Sequence, residues 1–98
     1  MIDKALNQIA IAMKAGKVKS GEFACEEAIK SGIAYLCIVA CDASDNTKKA
    51  FKNSCDYYDV KYVEYSNKES LGQIIGKVNR ASICIIDEGL ADSIVSKM

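Results

Sequence analysis

The 98 residues, half of them hydrophobic and 27% charged, suffice for one domain with a real core and exclude both a two-domain protein and a disordered chain. Thirteen basic residues balance 13 acidic ones, which argues against broad attraction to nucleic-acid phosphates and permits only a local patch. No apolar run approaches the roughly 18 residues of a membrane helix, and the first residues lack the basic-then-apolar order of a signal peptide, so the expectation is a cytoplasmic protein without membrane association.

In chain order, Ile2, Ala5, Leu6, Ile9 and Met13 recur at helical spacing and predict a helix over 3–15. Gly16 suits its stop, and Lys14 suits the negative end of its dipole. A short extended piece over 17–19 follows. Lys14, Lys17 and Lys19 form the one clearly single-signed cluster in the chain. Ser20 is a good N-cap for a second helix reaching Gly32, with an apolar stripe of Ala24, Cys25, Ala28 and Ile29. Phe23 falls nearly opposite that stripe, where it either packs on the preceding turn or meets a partner.

Residues 35–41 are apolar on both alternations, the mark of a strand covered on both faces. Ser44 can cap a third helix carrying Phe51 towards Tyr57. A strand is expected over 60–65. Ser66 followed by Glu69 is a capping-box pattern opening a short helix with Leu71, Ile74 and Ile75, ended by Gly76. Residues 82–86 form another doubly buried strand, and Asp87 with Glu88 begins a last helix holding Leu90, Ile94 and Val95. Strands alternating with helices predict an α/β fold, a three-layer α/β/α sandwich with a mixed four-stranded sheet over 1–98.

Chemistry of the catalytic kind is not signalled. The chain has no Gly-x-Ser-x-Gly elbow, no phosphate-binding glycine loop and no histidine, so neither an enzyme nor a cofactor is expected. Asp42 follows the central strand and reads as a turn or cap residue. Five cysteines without Cys-x-x-Cys spacing read as reduced thiols rather than metal ligands, with Cys37 and Cys84 acting as small hydrophobes. The exposure of Cys55 stays open.

Three stretches carry a resemblance. They are Ala15-Gly16-Lys17-Val18-Lys19-Ser20-Gly21, Ala40-Cys41-Asp42-Ala43-Ser44-Asp45-Asn46-Thr47 and Lys68-Glu69-Ser70-Leu71-Gly72-Gln73-Ile74-Ile75-Gly76. In order and separation they resemble the kink-turn-binding ribosomal proteins of archaeal L7Ae and eukaryotic L30e type, and within them the bacterial YlxQ group. The resemblance covers essentially the whole chain and implies an α/β/α sandwich that binds structured RNA, ribosomal or kink-turn RNA among the options, and not DNA. It implies that the entrance of the second helix, with Lys17, Lys19, Ser20, Gly21, Glu22 and Phe23, meets the RNA groove. It also implies that a later loop over 77–81, with Lys77, Asn79 and Arg80, meets bulged nucleotides.

The chain departs from that pattern where kink-turn binders run Gly-x-Asn-Glu-x-x-Lys. Phe23 stands for the Asn, Ala24 for the Glu and Glu27 for the Lys. Two base-reading groups are gone and a cation has become an anion. The alternative to an RNA-binding module is therefore a protein-interaction module that keeps the fold and uses Phe23.

Overall fold

The computed structural model describes residues 3–98. Ile2, which spacing assigns to the first apolar stripe, lies outside the described residues. The element order is α1 (Lys4–Lys14), β1 (Val18–Ser20), α2 (Glu22–Lys30), β2 (Leu36–Val39), α3 (Asp45–Tyr58), β3 (Lys61–Glu64), α4 (Lys68–Ile74), β4 (Ser82–Ile85) and α5 (Glu88–Ser96). This is the predicted alternation, element for element.

The strands form one mixed sheet in the order β1-β4-β2-β3. β2 and β3 run parallel, while β4 is antiparallel to both β1 and β2. Every residue of β2 and β4 is buried, as continuous apolar runs predict for inner strands covered by helices on both faces. The helices divide into two packed groups. α2 lies with α3, and α1 with α4 and α5. Side chains alternate between the two layers, so the facing pair Cys37 and Cys84 points the same way, and Leu36 opposite Ile85 and Ile38 opposite Ile83 point the other.

The Cys37 and Cys84 side meets α2 and α3, which bring Cys25 and Cys55. All four thiols are buried, and only Cys41 is exposed. Contact with the Cys37 sulfur, and then burial, pushes the Cys55 thiol above its ordinary value. Contacts with Cys25 and Cys37, and then burial, do the same for Cys84. Cys55, left open by the sequence, is therefore core.

Several expected boundaries move by a residue or more. Ser20 does not cap α2. It is held in the β1–β4 ladder opposite Ile83, and Gly21 is the cap residue, with φ 91° and ψ 161°. The turn needs a positive φ that glycine adopts without strain, so it falls one position later. Ser66 does not cap α4 either. It sits at φ 61°, whereas a capping residue is extended, and Asn67 takes the role by accepting from the Ser70 N–H at 2.8 Å. The strand expected over 35–41 narrows to Leu36–Val39, leaving Tyr35 and Cys41 exposed at its ends. Asp42 is a turn residue whose carboxylate accepts the Lys68 N–H at 2.9 Å and ties the start of α4 to the end of β2.

Candidate functional site

Two segments meet at one end of the sheet. Antiparallel pairing sets the end of β1 beside the start of β4, and the Gly21 N–H donates to the Ser82 carbonyl at 3.1 Å. The α2 entrance and the loop that leads into β4 are thus joined through the backbone.

The α2 entrance is chemically distinct. Asp3, Ser44, Asn67 and Asp87 cap their helices with side-chain oxygens, but Gly21 has no side chain to do so. The first internal bond of α2 runs from the Cys25 N–H to the Gly21 carbonyl at 3.0 Å. The N–H groups of Glu22, Phe23 and Ala24 are therefore available to an outside acceptor, with the positive end of the helix dipole behind them. No Cβ covers Gly21, and nothing lies within 4 Å of where one would be.

The loop over 77–80 is built against α4. Lys77 N–H donates to the Gly72 carbonyl at 2.8 Å, and Arg80 N–H donates to the Lys68 carbonyl at 3.0 Å. The loop passes so close to α4 that a Cβ on Gly72 would stand 2.5 Å from the Val78 carbonyl oxygen. Only a glycine allows that approach. Lys77 and Asn79 are exposed, and Val78 is 80% exposed at the loop apex. The Arg80 guanidinium turns back on its own loop, donating to the Val78 carbonyl at 3.1 Å and the Asn79 carbonyl at 3.0 Å. Its guanidinium braces the loop and keeps its positive charge at the same place.

The predicted residues do not all gather there. Ser20, Gly21, Glu22 and Phe23 stand at the α2 entrance, and Lys77, Asn79 and Arg80 lie in the adjoining loop. Lys19 is exposed on the edge strand, on the α2 side of the sheet with its partner Cys84. Lys17 precedes β1, where its carbonyl accepts the Ile86 N–H at 2.9 Å. That is the opposite end of the strand, about 10 Å from Ser20 at some 3.3 Å per residue. Lys14, at the end of α1, lies towards the same far end. The basic cluster of the sequence is spread over the end of α1, the turn after it and β1.

Phe23 does not pack on the preceding turn. It is 81% exposed, and with Glu26, Glu27, Lys30 and Ser31 it lines an open cleft of about 440 Å³ along α2. Glu26 is held in that cleft, accepting the Ser54 hydroxyl at 3.1 Å and meeting Lys30 at 3.9 Å.

Sequence reasoning did not single out Gly72 or Val78. A glycine inside a helix costs stability, and that cost is a readable sign of close backbone approach. For Val78 no such sign exists. Among the described residues no group of three or more Cys, His, Asp or Glu side chains is arranged to hold a metal ion, and no helix is long and apolar enough to cross a membrane.

Comparison with known proteins shows the family and the fold. The profile described as the ribosomal protein L7Ae/L30e/S12e/Gadd45 family matches residues 3–95. The chain is 35% identical over 88 residues to the RNA-binding protein YlxQ of Bacillus subtilis (strain 168), covering 90% of this chain and 88% of that protein. It is 40% identical over 88 residues to the RNA-binding protein YlxQ of Enterococcus faecium, covering 90% and 84%. Among solved structures, a protein of unknown function from Bacillus halodurans C superposes with a TM-score of 0.94 at 28% identity, over 98% of this chain and 97% of that one. The Giardia lamblia 15.5kD RNA binding protein shares the fold, with a TM-score of 0.81 at 22% identity over 96% and 81%. By sequence profile, by its relatives and by fold, this chain belongs to the ribosomal protein L7Ae/L30e/S12e/Gadd45 family.

Proposed function

We propose that this chain is a non-enzymatic, cytoplasmic, single-domain protein that binds structured RNA at the α2 entrance and the 77–81 loop. The observation that carries the reading is the uncapped start of α2, fixed by the Gly21–Ser82 bond beside a loop bearing Lys77 and Arg80. Free N–H groups at a helix start donate to phosphate oxygens, and the bare Gly21 lets a backbone come close. Glu22 and Phe23 contribute their backbone N–H groups, Ser20 borders the entrance, and Lys19, Lys77 and Arg80 supply positive charge. Lys17, at the far end of β1, contributes through longer-range attraction. Asn79 and Val78 offer a polar and an apolar surface to unstacked bases, the parts of RNA that proteins read directly. The relatives named as RNA-binding proteins support the same reading.

The RNA is read mainly by shape. With Phe23, Ala24 and Glu27 in place of the polar groups of kink-turn binders, preference for a kink-turn is reduced. Ribosomal RNA fits this mode as well as an isolated kink-turn does. Double-stranded DNA does not, because the site presents a helix end and a loop rather than a helix side for a major groove.

The test is binding to a kink-turn RNA and to the same RNA with its G·A pairs replaced by Watson–Crick pairs, across a salt series. Binding that weakens with salt by the slope of a few phosphate contacts, with a modest preference for the intact bend, is expected. Unchanged affinity after Lys19, Lys77 and Arg80 are all replaced by Ala would overturn the assignment.

A further inference from the structure

We infer that the cleft along α2 is a docking site for an extended, arginine-bearing segment of a protein partner. It is a surface separate in chemistry from the RNA site. Four observations lead there. Phe23 is 81% exposed on a helix whose opposite side is core, so its ring rests on no part of this chain's interior. The other cleft residues, Glu26, Glu27, Lys30 and Ser31, are polar, and two of the three charged ones are carboxylates. Glu26 is already matched by Lys30 and the Ser54 hydroxyl, whereas Glu27 has no ion pair among the described residues. Glu22 adds a further exposed carboxylate one residue before Phe23.

An anionic cleft with an exposed ring repels phosphates and attracts cations. A guanidinium gains both from the face of an aromatic ring and from a planar carboxylate. The spacing is also suitable. Phe23 and Glu27 are one turn apart, about 6 Å along the helix at 1.5 Å per residue. Alternate residues of an extended chain point the same way about 6.6 Å apart. An Arg-x-Arg segment laid along α2 therefore places one guanidinium over Phe23 and the next against Glu27. Lys30, about 10 Å from Phe23 along the axis, closes the far end of the cleft to a third cation.

The probe is the peptide acetyl-Gly-Arg-Ala-Arg-Gly-amide, with its glutamate counterpart as control. It is titrated into the full chain while backbone amide shifts are followed by NMR. Shifts are expected at Phe23, Glu26, Glu27, Lys30 and Ser31 with the arginine peptide alone. Glu27→Lys should abolish them, and Phe23→Ala should weaken binding about three- to fivefold, the scale of an exposed cation–π contact. Both positions are on the surface, so thermal melts of the two variants should match the parent. Shifts scattered over all carboxylate-bearing surfaces, an undiminished response in Glu27→Lys, or shifts at Glu26, Glu27, Lys30 and Ser31 produced by RNA in place of the peptide would each overturn the inference. Lys19→Ala with Arg80→Ala separates the two sites. That variant should lose RNA affinity and keep the peptide response, so failure at one site is read apart from failure at the other.

Discussion

Replacing Gly72 by Ala tests whether α4 positions the 77–80 loop for binding. The new Cβ would lie 2.5 Å from the Val78 carbonyl oxygen, 2.7 Å from its carbonyl carbon and 3.0 Å from the Asn79 Cα. All three are backbone atoms, so no side chain can rotate out of the way. Ordinary contact begins near 3.4 Å, so the loop must retreat by about 1 Å. That retreat works against the Lys77 N–H bond to the Gly72 carbonyl, at 2.8 Å, and the Arg80 N–H bond to Lys68, at 3.0 Å. Overpacking of this kind costs roughly 1–3 kcal/mol. For a domain of this size each kcal/mol lowers the melting temperature by about 4–8 °C. Thermal melting followed by circular dichroism should therefore show a drop of about 5 °C or more. RNA affinity, measured well below the new melting temperature, should fall as Lys77 and Arg80 are displaced from Gly21. A variant with parental melting temperature and parental RNA affinity would refute the claim that this close approach sets the site.

Gly21→Ala puts a side chain at φ 91°, a conformation that costs a non-glycine residue roughly 1–3 kcal/mol, and urea denaturation should show a loss of that size with RNA affinity reduced as well. Asp3 caps α1 through the Leu6 N–H and accepts the Tyr65 hydroxyl, and these bonds, in that order, hold its carboxyl below the ordinary value of 3.8. Its folded value is depressed, so this stabilisation is complete above the ordinary value and is lost as pH falls through the lowered one. The same contact raises the Tyr65 hydroxyl above 10, so its share is complete below that value and is lost as pH rises through the raised one. Melting temperature against pH should fall at both limits, and Asp3→Asn should flatten the acid limb. If the variant keeps the acid limb of the parent, the pair is not its source. A thiol reagent should label one cysteine, Cys41, in the folded protein and all five after denaturation. Fast labelling of a second thiol under native conditions would contradict the buried placement of Cys25, Cys37, Cys55 and Cys84.

Periodicity and apolar runs made the architecture legible. The stripe at Ala5 and Ile9, the doubly apolar β2 and β4, and Ser44 before its helix all read correctly because local spacing and burial agree. The caps at Ser20 and Ser66 misread by one position, because the ladder and a positive φ claim those residues first. The site was only half legible. Gly21 and the 77–80 loop could be named from the sequence, but their joining depends on β1 pairing antiparallel with β4, which no local pattern encodes. The same pairing carries Lys17 to the far end of the strand. The fold-back of Arg80 and the burial of Cys55 are tertiary facts of the same kind.

That pairing also dictates when the site can exist. β1 is an edge strand whose one neighbour in the sheet is β4, whereas β2 and β3 find each other early in the chain. During synthesis the chain emerges from its N-terminus, and a domain generally folds as a unit. Until β4 inserts between β1 and β2, Gly21 has no Ser82 carbonyl to meet. The proposed RNA-binding end therefore cannot assemble on a nascent chain until β4 has been made and has joined the sheet.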